Sequence, residues 1–329
     1  MTLTRKIRAA LSPMAIMAMA MAMTIGAALA ADYPGRPIKI VVPYAAGGTI
    51  DSMARLLSPK FQAELGQPVL IDNRPGAGTM IGADAVARSE PDGHTLFMGT
   101  NSAFTISPHI MDKLPYDPLR SFAAIGTMAT LPNLIVVKPD APYQTLADVV
   151  DAARRGEKIS YASFGKGSTA HLSGEAIRVA AAIDIAEIPY KSGPQCVQAV
   201  LAGQVSMGFD TTFGSVQRVK QGQLRAVAIT SATRSPDLPH VPTVREAGYP
   251  SAELVAWVGL FVPAATPAPI RDRLAATLRR ALDEPQVKAQ FAKMSVVVRF
   301  VDGESTMQTL RQEYLDIGKL VQTAKIRAH

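Results

Sequence analysis

The sequence is poor in the residues on which several classes of protein depend. It has a single cysteine, Cys196, so an internal disulfide is excluded and stability has to come from an apolar core. Its five histidines show no metal-ligand spacing, and no H-E-x-x-H motif occurs. Aromatic residues make up only 6% of the chain, and no run of Lys or Arg exceeds two residues. A nucleic-acid partner, a metal ion and a cofactor are therefore not expected.

Apolar residues are abundant, at 48% of 329 residues, in a length that suits two domains. The first thirty residues combine a basic start, an apolar stretch over 14–25 and small residues before position 31. This arrangement predicts a secretory signal peptide over 1–30, cut after Ala30. The alternative is a membrane anchor, since residues 9–31 carry no charge and are long enough to span a bilayer.

Removal of the signal peptide changes the charge of the chain. It takes away three basic residues and no acidic ones, which lowers the formal net charge from +7 to +4. So small an excess is not typical of a nucleic-acid-binding protein. No later segment approaches the length of a membrane span, and we expect the mature protein to be soluble outside the cytoplasmic membrane.

Predicted strands and helices alternate along most of the mature chain. Continuous apolar runs such as 38–42 and 159–162 predict strands buried on both faces, and each precedes a Gly-rich turn and a predicted helix. The last third is predicted to be largely helical, with apolar residues every three or four positions over 270–282 and 310–321. This alternation predicts an α/β protein with mainly parallel sheets flanked by helices.

Two of the strand-to-helix turns are rich in glycine and are candidate ligand sites. In open α/β sheets the ligand lies beyond the carboxyl ends of the strands, where helix N-termini supply unpaired N–H groups and a partial positive charge. The alternative is that such turns are ordinary connections in this fold class. The candidate residues are Tyr44, Ala45, Ala46, Gly47, Gly48 and Thr49 in the first turn, and Ser163, Gly165, Lys166, Gly167, Ser168 and Thr169 in the second.

Two titratable residues near these turns each have two interpretations. His171, at the start of the helix after the second turn, either orients the loop or donates a hydrogen bond to a ligand. Asp210 follows the apolar run 205–209 and either faces a ligand at the strand end or caps the next helix. Asp51 is expected to support the first turn of its own helix.

Sharper enzyme motifs are absent from the same segments. The sequence GKGST over 165–169 lacks the spacing of a phosphate-binding loop, and the glycines at 76, 78 and 82 miss the dinucleotide-binding spacing by one residue. Ser168, His171 and Asp210 could be combined into a hydrolase triad, but no G-x-S-x-G elbow supports it. No catalytic residue is expected, and a hydrolase is the least favoured alternative.

Seven long segments occur in a colinear order that is typical of one family. They are YPGRPIKIVVPYAAGGTIDSMAR (33–55), DNRPGAGTMIGADAVARSEPDGHTL (72–96), LPYDPLRSFAAIG (114–126), YASFGKGSTAHLSGE (161–175), IPYKSGPQ (188–195), LRAVAITSATRSPDLPHVPTVREAGYP (224–250) and WVGLFVPAATP (257–267). Through these segments the chain resembles the substrate-binding proteins of tripartite tricarboxylate transporters, the Bug family.

The resemblance implies a two-lobed periplasmic binding protein of the type II-like α/β class, which closes on its ligand like a Venus flytrap. Domain 1 would comprise residues 31–131 and 253–329, and domain 2 residues 132–252. Crossover strands near 133–137 and 254–260 would form the hinge.

The resemblance also implies a binding site and a function. Backbone amides of two opposed turns, here 44–49 and 165–169, would hold the carboxylate of the ligand. Asn101 and Ser102 would face the pocket, and Asp210 lies at a position associated with ligand selectivity. The implied function is capture of a small organic acid, a mono- or dicarboxylate, by a monomer that delivers it to a membrane permease. Signalling to a sensor kinase is the alternative output.

Three departures from the family pattern border the expected pocket. Lys166 is not required by that pattern and either favours a second carboxylate on the ligand or points to solvent. Ser192 replaces a common glycine, and TTFG over 211–214 lacks a common proline. The resemblance therefore does not identify which carboxylate is bound.

Overall fold

A computed structural model of the protein describes residues 33–323. The predicted signal peptide and its cleavage after Ala30 lie outside these residues. Within the described stretch, none of the helices combines the length and the apolar composition that crossing a bilayer requires.

Eleven strands occur in the described residues. They are β1 (Ile38–Val42), β2 (Val69–Asn73), β3 (Thr95–Thr100), β4 (Phe122–Leu131), β5 (Asn133–Val137), β6 (Ile159–Ser163), β7 (Ile185–Pro189), β8 (Met207–Thr211), β9 (Arg225–Ile229), β10 (Ala256–Pro263) and β11 (Val297–Asp302).

Ten α-helices connect or follow these strands. They are α1 (Thr49–Leu65), α2 (Met80–Ala87), α3 (Ser107–Ile110), α4 (Leu146–Arg154), α5 (Thr169–Ala181), α6 (Gly193–Leu201), α7 (Thr212–Lys220), α8 (Ala268–Asp283), α9 (Pro285–Lys293) and α10 (Gly303–Thr323). A π-helical segment, Ser102–Ile106, leads into α3, and a short 3₁₀ turn, Ala77–Thr79, leads into α2.

The strands form two sheets. One has six strands in the order β11-β4-β10-β3-β1-β2, and the other has five in the order β7-β6-β8-β5-β9. Only β1 and β6 pair in parallel with both of their neighbours, and the remaining pairs are antiparallel. The two-lobed α/β fold is as expected, but the sheets are mixed and not mainly parallel.

Four of the five antiparallel pairs of the described strands arise where the chain passes from one sheet to the other, and the fifth joins β11 to β4. β4 ends at Leu131 in the six-stranded sheet, and after Pro132 the chain continues as β5 in the five-stranded sheet. It returns between β9 and β10. The first strand after each crossing, β5 or β10, is antiparallel to both of its neighbours. Alternation of strands and helices along the sequence does not reveal such crossings, which is why parallel pairing was overestimated.

Some strands follow the sequence pattern closely and others do not. β1 has the predicted bounds and is buried along nearly its whole length. β4 and β11 were not predicted, and β11 makes the last third less helical than expected. The sequence of β4, FAAIGTMATL, has few of the β-branched residues that mark strands, yet it lies between β10 and β11 and is largely buried.

Each sheet has its own apolar core, and a smaller cluster joins the two parts. We call residues 33–131 and 256–323, which carry the six-stranded sheet, the six-stranded half, and residues 133–252 the five-stranded half. Leu172 of α5, in the five-stranded half, packs against Ile106 and Ile317 of the six-stranded half, and all three are at least 94% buried. Contacts of this kind hold the halves close enough to share a cavity.

Candidate functional site

A small cavity of about 50 Å³ lies between the two halves. It is formed where strands of both sheets end and where helices begin. Sixteen residues line it: Tyr44, Gly48, Thr49, Ile50, Thr100, Ser102, Leu131, Asn133, Phe164, Ser168, Thr169, Ser192, Gly193, Asp210, Thr211 and Ala256. The two candidate turns predicted from the sequence therefore meet at one place.

The first glycine-rich turn is held from outside the cavity by Asp51. The Asp51 carboxylate, only 2% exposed, accepts hydrogen bonds from the Gly47 N–H at 2.9 Å and from Arg55 Nε at 2.8 Å. Asn73 Nδ2 donates to Asp51 Oδ1 at 3.0 Å and to the Tyr44 carbonyl oxygen at 3.0 Å. Burial raises the pKa of Asp51, but these hydrogen bonds outweigh it and hold the pKa below its usual range. Asp51 was expected to support the first turn of its own helix, and its carboxylate also holds the glycine-rich turn that precedes this helix.

The N-terminus of α1 opens onto the cavity without a side-chain cap. Gly48 is the N-cap residue and no side chain accepts a hydrogen bond there. The first N–H groups of a helix have no partner within the helix, and they carry a partial positive charge. Gly48 and Thr49 line the cavity, whereas Ala45, Ala46 and Gly47 do not. This end of α1 is the best-placed anion seat on the six-stranded half.

The second turn is built differently. Ser168 is the N-cap of α5, and its Oγ accepts a hydrogen bond from the His171 N–H at 3.1 Å. Ser163, fully buried, accepts from the Gly165 N–H at 3.0 Å and donates to Glu187 Oε1 at 2.5 Å. Ser168 and Thr169 line the cavity. Ser163, Gly165, Lys166 and Gly167 lie outside its lining, so the glycines of this turn do not form its wall.

Gly167 allows the two halves to touch. Its φ of +83° is in the left-handed region, and a Cβ placed there would lie 2.5 Å from Ser107 Oγ in the other half. A Cβ on Gly78 would similarly lie 2.5 Å from the Lys166 carbonyl oxygen. At another point of the interface, the Thr49 and Thr211 hydroxyls are hydrogen-bonded at 2.7 Å. At positions 78 and 167, only glycine lets the two halves lie so close together.

His171 lies beneath the second turn and does not line the cavity. It is 3% exposed, and its Nε2 is 3.8 Å from Glu187 Oε2. Burial lowers the pKa of His171, against a smaller upward effect of Glu187, so the ring is neutral near pH 7. Of its two interpretations, this position favours orientation of the loop.

Asp210 lies in the wall of the cavity. It is 2% exposed, and its Oδ2 accepts a hydrogen bond from Ser215 Oγ at 2.7 Å. A Cβ on either Gly193 or Gly214 would lie only 2.1 Å from its carboxylate oxygens, so the group is enclosed by the first turns of α6 and α7. Burial raises the pKa of Asp210 to about 6. The cap of α7 is Thr211, which accepts from the Gly214 N–H at 3.3 Å, and not Asp210.

Asn101 and Ser102 separate in the structure. Ser102 lines the cavity. Asn101, 2% exposed, donates from Nδ2 to the Val255 carbonyl oxygen at 3.1 Å and to Glu313 Oε1 at 3.3 Å. Asn101 therefore connects the segment after β3 to the return crossing and to α10. It was expected to face the pocket, but it does not line the cavity.

Nine of the lining residues were not among the candidate ligand-binding residues, although Ser192 and Thr211 had been expected at the border of the pocket, and three of the nine bear on the chemistry. Ser192 is the N-cap of α6 without a side-chain hydrogen bond, and Gly193 follows it in the wall. The Gly-Pro turn at 193–194 was a signal for this third helix start. Asn133 donates from Nδ2 to Thr169 Oγ1 at 3.1 Å, and its buried Oδ1 has no partner within residues 33–323.

The cavity is suited to an anion that also carries a hydrogen-bond donor. The N-termini of α1, α5, α6 and α7 all reach it, and its lining contains no Lys, Arg or His. Helix N-termini favour anions. Asp210 and the Asn133 Oδ1 add acceptors to the same wall. In the described part of the chain no group of three or more His, Cys, Asp or Glu could hold a metal ion.

Comparison with known proteins identifies the family. The profile of the tripartite tricarboxylate transporter family receptor matches residues 53–326. BugT of Bordetella pertussis (strain Tohama I) is 35% identical over 271 residues, which cover 82% of this chain and 83% of BugT. The structure of the periplasmic binding protein BugD superposes with a TM-score of 0.85 at 31% identity, over 90% of this chain and 100% of that one.

Two solved neighbours contain organic acids. MatC of Rhodopseudomonas palustris, with bound malate, superposes with a TM-score of 0.83 at 30% identity, over 88% of this chain and 100% of MatC. R. palustris Rpa4515, with adipate, has a TM-score of 0.84 at 30% identity, over 90% of this chain and 99% of that one. The resemblance stated from the sequence is confirmed. The chain belongs to the tripartite tricarboxylate transporter receptor family, which includes the Bug proteins, and it is a periplasmic-type solute-binding protein, not an enzyme.

Proposed function

We propose that the protein captures a small organic carboxylate in the cavity between its halves. The observation that supports this most is the convergence of four helix N-termini on a wall without any basic side chain. Each N-terminus contributes unpaired N–H groups and roughly half a positive charge. The carboxylate is held by the open end of α1 at Gly48 and Thr49 and by Ser168 and Thr169 opposite, so the second turn contributes its helix start and not its glycines.

The ligand also carries a hydrogen-bond donor close to this carboxylate. Asp210, which already accepts from Ser215, and Asn133 Oδ1, which has no partner within residues 33–323, are acceptors in the wall, and a buried acceptor left unpaired is costly. A hydroxyl or ammonium group on the ligand satisfies them. Malate, which the relative MatC binds, has a hydroxyl beside a carboxylate.

Capture involves closure of two domains. Domain 1 comprises residues 31–131 and 253–329, and domain 2 residues 132–252, with the crossings at Pro132 and between β9 and β10 as the hinge. Drug-sized ligands occupy pockets of roughly 300–1,000 Å³, so a cavity of about 50 Å³ has to open before an acid enters. The acid favours the closed form only by the contacts that it makes with both domains at once.

The family supports the location and the output of this capture. A signal peptide over 1–30, cut after Ala30, places the mature receptor in the periplasm. The closed receptor then delivers its acid to the permease subunits of a tripartite tricarboxylate transporter. Deletion of the protein with uptake of the bound acid measured in cells tests the delivery.

Ligand binding is tested with protein unfolded and refolded to release any co-purified acid. Trp257, the only tryptophan, follows the lining residue Ala256 at the start of β10, so its fluorescence reports closure. Acetate, butyrate, lactate, malate, succinate, adipate and aspartate are added singly, with melting temperature and calorimetric heat as further readouts. We expect at least one hydroxy or amino acid to raise the melting temperature and change the emission. Absence of any response to the whole panel would overturn the proposal.

A further inference from the structure

A second and larger cavity of about 410 Å³ adjoins the first. The two share Tyr44 and Phe164 in their linings, so they meet at these side chains. The second cavity is also bounded by both halves. The loop 75–79 of the six-stranded half forms one wall, and residues 164–166 and 189–191 of the five-stranded half form the other.

The ionisable residues that line the two cavities have opposite charge. The lining of the first contains one ionisable acid, Asp210, and no basic residue. The lining of the second contains two lysines, Lys166 and Lys191, and no acid. No carboxylate within residues 33–323 forms an ion pair with either lysine. Lys166, partly buried, and Lys191, exposed, therefore border this inter-half space without a carboxylate partner among the described residues.

Thr79 supplies an independent sign that this space receives a polar group. It is 5% exposed, and its Oγ1 is buried without a hydrogen-bond partner among the described residues. Its φ of 78° is rare for a β-branched residue, and its neighbour Ala77 also has a positive φ, of 47°. Strained backbone of this kind persists where the surrounding structure holds it, often at ligand sites.

The remaining walls are apolar. Pro43, Pro75, Pro189 and Met111 line the same cavity beside the shared Tyr44 and Phe164. A methylene chain suits such walls, whereas a compact polar molecule does not. The space is thus polar at the lysines and at Thr79 and apolar between them and the first cavity.

From this juxtaposition we propose that the second cavity is a subsite for the distal carboxylate of an elongated dicarboxylic acid. The inference rests on the proposed function, because the proximal carboxylate of the same molecule occupies the helix N-termini of the first cavity. The methylene chain passes between Tyr44 and Phe164, and the distal carboxylate meets Lys166, Lys191 and the Thr79 hydroxyl. This subsite gives Lys166 the first of the two roles that its sequence position left open.

The test compares diacids with monoacids of equal length. Dissociation constants are measured by calorimetry for adipate against hexanoate and for succinate against butyrate. In the wild type we expect adipate to bind about tenfold or more tightly than hexanoate, with a smaller ratio for the shorter pair. In the double variant Lys166→Met and Lys191→Met, the ratio of the affinity for adipate to the affinity for hexanoate falls to near one. Lys158→Met, an exposed lysine of the same half, serves as control and keeps the wild-type ratio.

Thr79→Val tests the hydroxyl without relieving the backbone, because valine is also β-branched. We expect it to lower the adipate-to-hexanoate ratio a few-fold. Monoacid binding with a ratio near one in the wild type, or an undiminished ratio in the double lysine variant, overturns the subsite and leaves carboxylate capture standing. If no acid binds to the refolded wild type, carboxylate capture and the subsite both fail.

Discussion

Each half of the protein has a glycine-rich turn next to the cavity. The two turns have similar sequences, but the helix N-termini that follow them differ in structure. On the six-stranded half a glycine-rich turn ends in α1, whose N-terminus has no side-chain cap, and Asp51 braces the turn from behind. On the five-stranded half the glycine-rich turn ends in α5, whose N-terminus is capped by its own Ser168. Its glycines contact the opposite half or the second cavity, and not the first.

The difference indicates a division of labour. In the proposed function, unpaired N–H groups at the open end of α1 attract the carboxylate, while the five-stranded half supplies Ser168, Thr169 and the acid Asp210. On the six-stranded half, Gly48 lines the cavity. On the five-stranded half, Gly167 instead allows contact between the halves. Substitutions that affect only one of these functions separate them.

The largest effect is expected for Gly48→Val. Its φ of −81° suits any residue, and a Cβ there meets only the Ala45 carbonyl oxygen, at an ordinary 3.5 Å, so the fold is kept. The added side chain intrudes on a cavity of only about 50 Å³, and we expect affinity for the best acid of the panel to fall by about 100-fold or more. Calorimetry measures it. Ala46→Val, exposed in the same turn and outside the lining, should bind like the wild type. Equal affinity in both variants would remove α1 from the site.

Gly167→Ala should have the next largest effect, through closure. The new Cβ meets Ser107 Oγ at 2.5 Å, and we expect about 30-fold weaker binding with a smaller fluorescence change at Trp257. Gly165→Ala is the matched control, because its φ of +95° imposes similar backbone strain while its nearest contact, the Tyr190 carbonyl oxygen, is 3.7 Å away. Adding Ser107→Ala to Gly167→Ala should restore part of the affinity. Equal losses in the two glycine variants would attribute the effect to strain and not to contact between halves.

How far the sequence predicts this arrangement depends on the range of the interaction. A Gly-rich turn between a strand and a helix is a local pattern, and both turns were found at their observed positions. Asn133 reaches the cavity because it follows the crossing at Pro132, which the local strand pattern does not mark and only the family resemblance implied. Ser192 reaches the cavity as the N-cap of α6, and the sequence indicated it only as a residue at the border of the expected pocket. Asn101 shows the reverse error: a polar residue after a strand was expected in the pocket, but α10, more than 200 residues away, provides its partner Glu313.

Asp210 allows a comparison by pH. Its pKa, raised to about 6 by burial, makes the group mostly protonated at pH 5 and mostly ionised at pH 7. Affinity for malate or lactate should rise by up to about tenfold over that interval, because the ionised carboxylate is the better acceptor. Affinity for butyrate, which lacks a donor, should fall, because an ionised Asp210 repels it. Asp210→Asn should abolish both trends, and parallel trends for the two classes of acid would contradict contact with the ligand.

The same pKa fixes the sign of a stability change in the empty protein. Since the folded state binds the Asp210 proton more tightly than the unfolded state, with its ordinary pKa of 3.8, stability should fall as pH rises from about 4 to beyond 6. Urea unfolding of the wild type and of Asp210→Asn at several pH values isolates this contribution. The variant should lack it.

The smallest effect on binding is expected at His171, which separates support of a turn from contact with the ligand. His171→Gln should change affinity at pH 7.5 by less than about twofold, because the ring lies behind Ser168 and outside the cavity. Stability should respond instead. Burial lowers the pKa of His171 below its usual 6.5. As pH falls below that value, the unfolded chain therefore binds a proton at this residue more readily than the folded chain does. The wild type should therefore lose stability below pH 6.5 faster than His171→Gln does, whereas His240→Gln, an exposed control, should follow the wild type. A large loss of affinity in His171→Gln without this change in pH dependence would instead make the imidazole a donor to the ligand.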